Sequence, residues 1–229
     1  IDTTSPIAAP ADPATSPLLD GSLGVYVVSL TLYGDVWDHG AYFGRTQWQQ
    51  QPDLFAKGLG LWFYEGNSVR PPFPTFASNT LDALEPVIMM WGSWYERATG
   101  FLFWDIAYWS ASDPWGPEID FGKTGDGVLL YPGNHDGALA PAGSPSDVAI
   151  DGPVPSYRLK MIRQGLEDWA LFRYADSLGL TSFVQQQVAG VYSQFGAVSA
   201  APAGMPYWTT DEAKMDAIRA AVVQKILDM

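Results

Sequence analysis

Cysteine is absent from the chain, which excludes disulfides, thiolate nucleophiles and cysteine-ligated metal sites and leaves the redox compartment unreadable. Basic residues are scarce: 12 Lys and Arg stand against 25 Asp and Glu, giving a formal net charge of −13 and a pI near 4.3. Such a chain repels nucleic-acid phosphates, so nucleic acid is excluded as a partner. Charged residues reach only 16% while hydrophobic ones reach 47%, a balance that a disordered chain does not have. No apolar run approaches the length that spans a bilayer, so no membrane association is expected. Histidine is limited to His39 and His135, far apart and without a companion at ligand spacing; His135, in Gly-Asn-His-Asp-Gly, reads as a turn residue. EF-hand ladders, glycine-rich phosphate loops and a Gly-x-Ser-x-Gly elbow are all missing. Neither a cofactor nor a metal is expected, and a serine hydrolase has no support.

What the chain has in plenty is aromatic side chains, with 10 Trp, 11 Tyr and 11 Phe in 229 residues. So many rings serve either large cores or carbohydrate surfaces. The stretch Thr99 to Trp115 concentrates them. Gly100 to Ala107 is an almost unbroken apolar run, as expected of a strand covered on both faces. It empties onto a loop holding Asp105, Tyr108, Trp109, Asp113 and Trp115. Tryptophan beside carboxylate suits a sugar, whose flat apolar face stacks on rings while its hydroxyls need acceptors. A core strand followed by a loop that packs its own aromatics fits the same residues.

Two earlier stretches end in the same style. Val25 to Leu32 is β-branched and apolar, and runs into Tyr33-Gly34-Asp35-Val36-Trp37-Asp38-His39. Leu59 to Tyr64 reads as a second buried strand and opens onto Glu65-Gly66-Asn67-Ser68. Residues 4–24, rich in Pro, Ala, Ser and Thr, read as a linker or exposed loop, and Thr46 to Phe55 as a short helix. Asn79 or Thr80 is placed to cap a helix with one packed face, Leu84, Ile88, Trp91, Tyr95 and Ala98, ended by Gly100. Strand, helix, strand at this spacing predicts a parallel sheet with crossover helices. Phe121 to Gly133 reads as turn, short strand, turn, and Asn134 to Pro155 as a long surface loop. Ser156 should cap a helix to about Leu178 with Leu159, Ile162, Leu166 and Trp169 on one face, stopped by Gly179. A further helix is expected over Ser182 to Phe195, and a last one after a Thr209–Glu212 capping box.

The carboxylates that sit near aromatics are Asp35, Asp38, Glu65, Asp105, Asp113 and Glu118. Two of them at strand ends could act as the acid and base of glycoside hydrolysis. Asp105 is the sharpest case, because a carboxylate inside an apolar run must be hydrogen-bonded or functional. The pairs Asp211-Glu212 and Glu167-Asp168 read as structural, the first in a helix start and the second as a helix-surface or salt-bridging pair.

The order of these strings resembles the C-terminal part of the barrel in glycoside hydrolase family 123, the β-N-acetylgalactosaminidase-like proteins, and their relatives. The strings are Leu61-Trp62-Phe63-Tyr64-Glu65, the Trp-rich helix, Gly100 to Ser110 with Asp113-Pro114-Trp115, Gly125-Asp-Gly to Tyr131-Pro-Gly133, and Pro155-Ser-Tyr-Arg-Leu to Gly165-Leu-Glu-Asp-Trp169. The likeness covers most of residues 20–180. It implies an α/β fold, the C-terminal portion of a (β/α)8 barrel followed by C-terminal helices. Within one domain over 1–229, residues 1–24 would be linker-like, 25–180 the last barrel strands and helices, and 181–229 the C-terminal helices. The family's substrate-assisted chemistry uses an Asp-Glu pair on a middle strand, which would precede residue 1. No equivalent pair stands in this sequence, so no catalytic residue is assigned. The expected sugar-contacting residues are Trp37, Trp62, Tyr64, Glu65, Asn67, Trp104, Asp105, Tyr108 and Trp109. The expected partners are a carbohydrate ligand and the missing N-terminal part of the barrel. The opening Ile1-Asp2-Thr3-Thr4, without initiator Met or basic n-region, leads us to expect a processed product or a piece of a longer chain. The acidity suits an exported, extracytoplasmic protein. A non-catalytic carbohydrate-binding or assembly protein on the same barrel is the competing expectation.

Overall fold

The computed structural model describes residues 25–29, 60–65, 74–76, 82–103, 105–108, 125, 127–133, 152–191 and 208–229. Three strands, β1 (Val25–Ser29), β2 (Gly60–Glu65) and β3 (Gly100–Phe103), form a parallel sheet in the order β1-β2-β3. The registers pair Val25 with Gly60 and Trp62 with Gly100. Between β2 and β3 the chain crosses over through α1 (Glu85–Tyr95), the strand–helix–strand unit that the spacing predicts.

β3 is shorter than the apolar run from which it was expected, and the sheet is not covered equally on its two faces. Alternation puts Phe63, Phe101 and Phe103 on one face and Trp62, Tyr64, Gly100 and Leu102 on the other. Phe63 is 1% exposed, in the core with Val87, Ile88 and Trp91 of α1. Phe101 and Phe103 meet Phe76 edge-on at 5.6 and 4.9 Å. Leu102, on the opposite face, is 40% exposed. Among the described residues, the helical side is the more closely covered of the two.

α1 departs from the single packed stripe read from its sequence, since Glu85 through Trp94 are all buried. It is a sandwiched helix, with the sheet on one side and α2 (Tyr157–Ser177) on the other. Its start is also later than Asn79 or Thr80, which lie outside the described residues. No side chain caps the helix; the Glu85 carboxylate instead ties down the chain before it, accepting from the backbone N–H of Thr75 (2.9 Å) and of Asp82 (3.1 Å), while Asp82 Oδ1 accepts from Leu84 N–H at 2.8 Å. Pro86 sits in the first turn, where its missing N–H costs nothing. The helix ends at a Schellman motif, Ala98 N–H to Ser93 O (2.8 Å) and Arg97 N–H to Trp94 O (2.9 Å). The left-handed position there is Arg97, φ 62°, and not Gly100.

Ser156 caps α2 as expected, accepting from Leu159 N–H at 3.1 Å, and Gly179, φ 81°, ends it. Its buried stripe is Arg158, Ile162, Gly165, Asp168, Phe172 and Ala175, whereas Leu166 is exposed. Asp168, 3% exposed, ties three helices together. It accepts from Trp91 Nε1 of α1 at 2.8 Å and from Arg219 Nε of α4 (Glu212–Leu227) at 2.9 Å. Breaking such a pair from one side costs about 3–5 kcal/mol. Its neighbour Glu167 pairs with Arg163 on the surface. α3 (Thr181–Ala189) stops at Gly190, before the Phe195 end that was expected. At α4 the cap is Asp211, whose carboxylate accepts from Ala213 and Lys214 N–H, while Thr209 Oγ1 accepts from Asp211 N–H. Among the described residues, no helix is long and apolar enough to cross a membrane.

Where α1 and α2 cross, Gly165 leaves no room for a side chain. A Cβ there would lie 2.8 Å from Met90 Cβ and 3.1 Å from the Val87 Cα. Since α1 is packed on all sides, the clash cannot be relieved by moving it outward. We expect Gly165→Ala to lose about 1–3 kcal/mol of stability, read as a lower denaturation midpoint with an unchanged m-value.

Candidate functional site

The described part of the candidate site is the far end of β2 and β3 and the turn that follows. Trp37, Asn67, Trp104 and Trp109 lie outside the described residues, as do Asp35, Asp38, Asp113 and Glu118. Glu65 is described as the last position of β2, paired in register with Phe103. Trp62, Tyr64, Asp105 and Tyr108 can be placed fully.

Trp62 and Tyr64 share the less covered sheet face, both half-buried. Trp62 lies across Gly100: a Cβ at Gly100 would stand 2.8 Å from Trp62 Cε2. Gly100 is therefore glycine because an indole occupies its side-chain space. That explains better than helix ending why the residue stands there. It also places Trp62 at the beginning of β3, with Tyr64 one side-chain step nearer the C-terminal end of the sheet.

Asp105 follows β3 directly and is half-buried. Its Oδ1 accepts the backbone N–H groups of Ile106 and of Ala107, the latter at 3.3 Å. The carboxylate thus folds its own turn, as short acidic side chains do. Of the two alternatives that the sequence left for Asp105, the hydrogen-bonded one is present in the geometry.

The turn is stitched to the Gly-Asp-Gly string. Tyr108 N–H donates to Gly127 O at 2.7 Å, Leu129 N–H to Ile106 O at 2.7 Å, and Ala107 bridges Val128 antiparallel. Gly125 and Gly127 both have positive φ, 89° and 70°. Val128 leads into β4 (Leu130–Tyr131), which pairs antiparallel with β5 (Val154–Pro155), the turn, short strand and turn that were expected. Beneath lies a residue that sequence reasoning missed. Arg158 is 1% exposed and donates through Nη1 to Phe76 O at 2.6 Å and through Nη2 to Val128 O. A Cβ on Gly125 would fall 2.6 Å from Arg158 Nη2. The signal was visible as two strings that go together, Gly-Asp-Gly and Ser-Tyr-Arg-Leu. Among the described residues, no group of three His, Cys, Asp or Glu side chains could hold a metal.

No family model matches the sequence, and no curated protein matches it. Among solved structures the chain is similar to a family 123 glycoside hydrolase from Clostridium perfringens, reported in a study of glycolipid glycan hydrolysis, with a TM-score of 0.57 and 14% identity. The match covers 88% of this chain and 32% of that one, so the chain spans about a third of the hydrolase's length. The fold is α/β. At this identity the likeness establishes a distant structural relationship and nothing about chemistry.

The Asp105 turn makes a prediction that separates support from ligand contact. Asp105→Asn keeps an acceptor for both N–H groups and should change stability by less than about 0.5 kcal/mol, whereas Asp105→Ala should cost about 1 kcal/mol. Chemical denaturation of both variants checks this. Equal losses in the two would show that the charge, and not the acceptor, holds the turn.

Proposed function

We propose that this chain is the C-terminal portion of a (β/α)8 barrel in a carbohydrate-active, glycoside hydrolase-like protein. The observation that carries the reading is the fold likeness of most of the chain to about a third of a family 123 glycoside hydrolase. On this reading β1, β2 and β3 are the last barrel strands, and the loops after Glu65 and Phe103 form part of the mouth, where barrel enzymes keep their sites. The unequal sheet faces support it. Phe63, Phe101 and Phe103 meet the helical layer, as the outer face of a barrel strand does, and Leu102 on the other face is exposed. The N-terminal strands of the barrel are the partner that would cover Trp62, Tyr64 and Leu102.

Trp37, Trp62, Tyr64, Trp104, Tyr108 and Trp109 then serve as ring surfaces, and Glu65, Asn67 and Asp105 as hydrogen-bonding groups toward hydroxyl or acetamido substituents. The acid pair of the reaction belongs to strands upstream of Ile1, no cofactor takes part, and the protein works outside the cytoplasm. A second reading keeps the barrel mouth for binding or assembly without hydrolysis. It is favoured by Asp105, whose carboxylate is engaged by its own turn.

Hydrolysis of aryl β-N-acetylhexosaminides by the full-length protein distinguishes the two. Activity supports the enzyme, and glycan binding without turnover supports the binding protein. A full-length protein that neither binds nor cleaves glycans overturns both. Expressed alone, the 229-residue chain should self-associate through its open sheet face and edges, and co-expression with the upstream segment should yield a compact 1:1 species on size exclusion. A well-behaved monomer of the chain alone would refute the half-barrel.

A further inference from the structure

β3 ends at Phe103, and the turn that follows, Asp105 to Tyr108, takes its place from another part of the chain. Asp105 closes that turn on itself, through the N–H groups of Ile106 and Ala107. The bonds that lead out of it go to residues 127–130. Tyr108 N–H donates to Gly127 O at 2.7 Å, and the N–H groups of Leu129 and Leu130 both donate to Ile106 O, at 2.7 and 2.9 Å. Ala107 and Val128 form the antiparallel bridge between the two segments.

Residues 127–130 are held in turn by the beginning of α2. Ser156 N–H donates to Leu129 O at 2.9 Å, and Arg158 donates through Nη2 to Val128 O. The other arm of the guanidinium, Nη1, reaches Phe76 O at 2.6 Å, and Phe76 meets Phe101 and Phe103 of β3 edge-on. One planar group thus spans the residue beneath the strand and the segment that carries the turn. Its donors point in fixed directions, so it sets the separation of the two carbonyls, which the point charge of a lysine does not.

Two glycines leave room for this connection. A Cβ on Gly125 would stand 2.6 Å from Arg158 Nη2, and one on Gly127, φ 70°, would stand 3.0 Å from Tyr108 Cβ. The contacts therefore run without a gap from Arg158, 1% exposed, to the half-buried ring of Tyr108. Buried ions stabilise a fold poorly beside well-packed apolar side chains. What Arg158 contributes is geometry.

We propose that Arg158 is a positioning residue for the sugar site: through Val128 and Gly127 it sets where Tyr108 and the Asp105 turn stand at the end of β3. This rests on the barrel reading, in which Asp105 and Tyr108 face the ligand. Arg158 touches no ligand itself, and its replacement acts on binding through the turn.

The test compares Arg158→Lys in the full-length protein with Val222→Ala, a truncation on α4 in the other of the two buried clusters. Both variants should melt at a lower temperature. In Arg158→Lys alone, amide hydrogen exchange of Tyr108 and Leu129 should rise roughly tenfold. The dissociation constant of N-acetyl-D-galactosamine, read by calorimetry, should rise about tenfold in the same variant. Gly127→Ala, which presses on Tyr108 and leaves the guanidinium's bonds in place, should weaken sugar binding similarly, and it carries the test should Arg158→Lys not fold. Unchanged exchange at Tyr108 and Leu129 in Arg158→Lys overturns the proposal. So does sugar affinity that is kept by Arg158→Lys or Gly127→Ala, or lost equally in Val222→Ala. A wild-type protein that binds no sugar overturns the barrel-mouth reading instead, and the exchange rates then decide alone whether Arg158 sets the turn.

Discussion

Burying a guanidinium costs several kcal/mol unless its donors meet acceptors, and Arg158 meets two backbone carbonyls from segments far apart in the chain. One belongs to Phe76, in the segment before α1, and the other to Val128, beyond the Asp105 turn. Arg158 does this from the first turn of α2, where the helix dipole disfavours a cation by about 0.3–1 kcal/mol. Each charge-assisted hydrogen bond contributes about 1.5–3 kcal/mol, so the two carbonyls outweigh the dipole. Gly125 follows from the same requirement, since any side chain there would displace the guanidinium. The start of α2, the loop beside the sheet end and the ring of Phe76 under β3 are thereby fixed to one another.

Asp168 does the corresponding work at the centre of the helical layer. It joins α1, α2 and α4 through Trp91 and Arg219, and the ring of Trp91 packs edge-on against Phe172 at 5.1 Å. Both carboxylate oxygens of Asp168 are engaged by named donors, Trp91, Gln164 and Arg219, which fixes how the three helices meet. The sheet rests on it through Phe63, Phe101 and Phe103. Position at the sheet end, where the candidate site lies, is therefore inherited from helix packing on the other side.

Elements that announce themselves by local chemistry were legible in the sequence: the β-branched run of β1, the apolar aromatic run of β2, the Ser156 cap, the Gly179 stop, and the strand–helix–strand order that gives parallel pairing. Elements decided by tertiary contact were not. Leu166 has the hydrophobicity of a core residue and lies outside, while Arg158 and Asp168 lie inside, because burial of a charge depends on partners far along the chain. Gly100 was read as a helix stop when its neighbour across the sheet, Trp62, is the reason for it. The left-handed residue after α1 is an arginine, which no propensity would select. At the candidate site, the acid on an apolar strand was visible, and its engagement with its own turn was not, since two adjacent N–H groups leave no mark in composition.

The core cluster runs from Phe63 on β2 through Trp91 and Phe172 to Met215 and Val222 on α4. The sheet and α1 are made first in chain order, and α2, α3 and α4, which complete the core around α1, are made last. During synthesis, then, Phe63 has no complete cover until the final sixteen-residue helix has left the ribosome, at a pace of roughly 5–20 residues per second. For that interval of several seconds the packed face of the sheet has α1 alone to cover it. The nascent chain is exposed to wrong pairing at the stage when it carries its most aromatic surface.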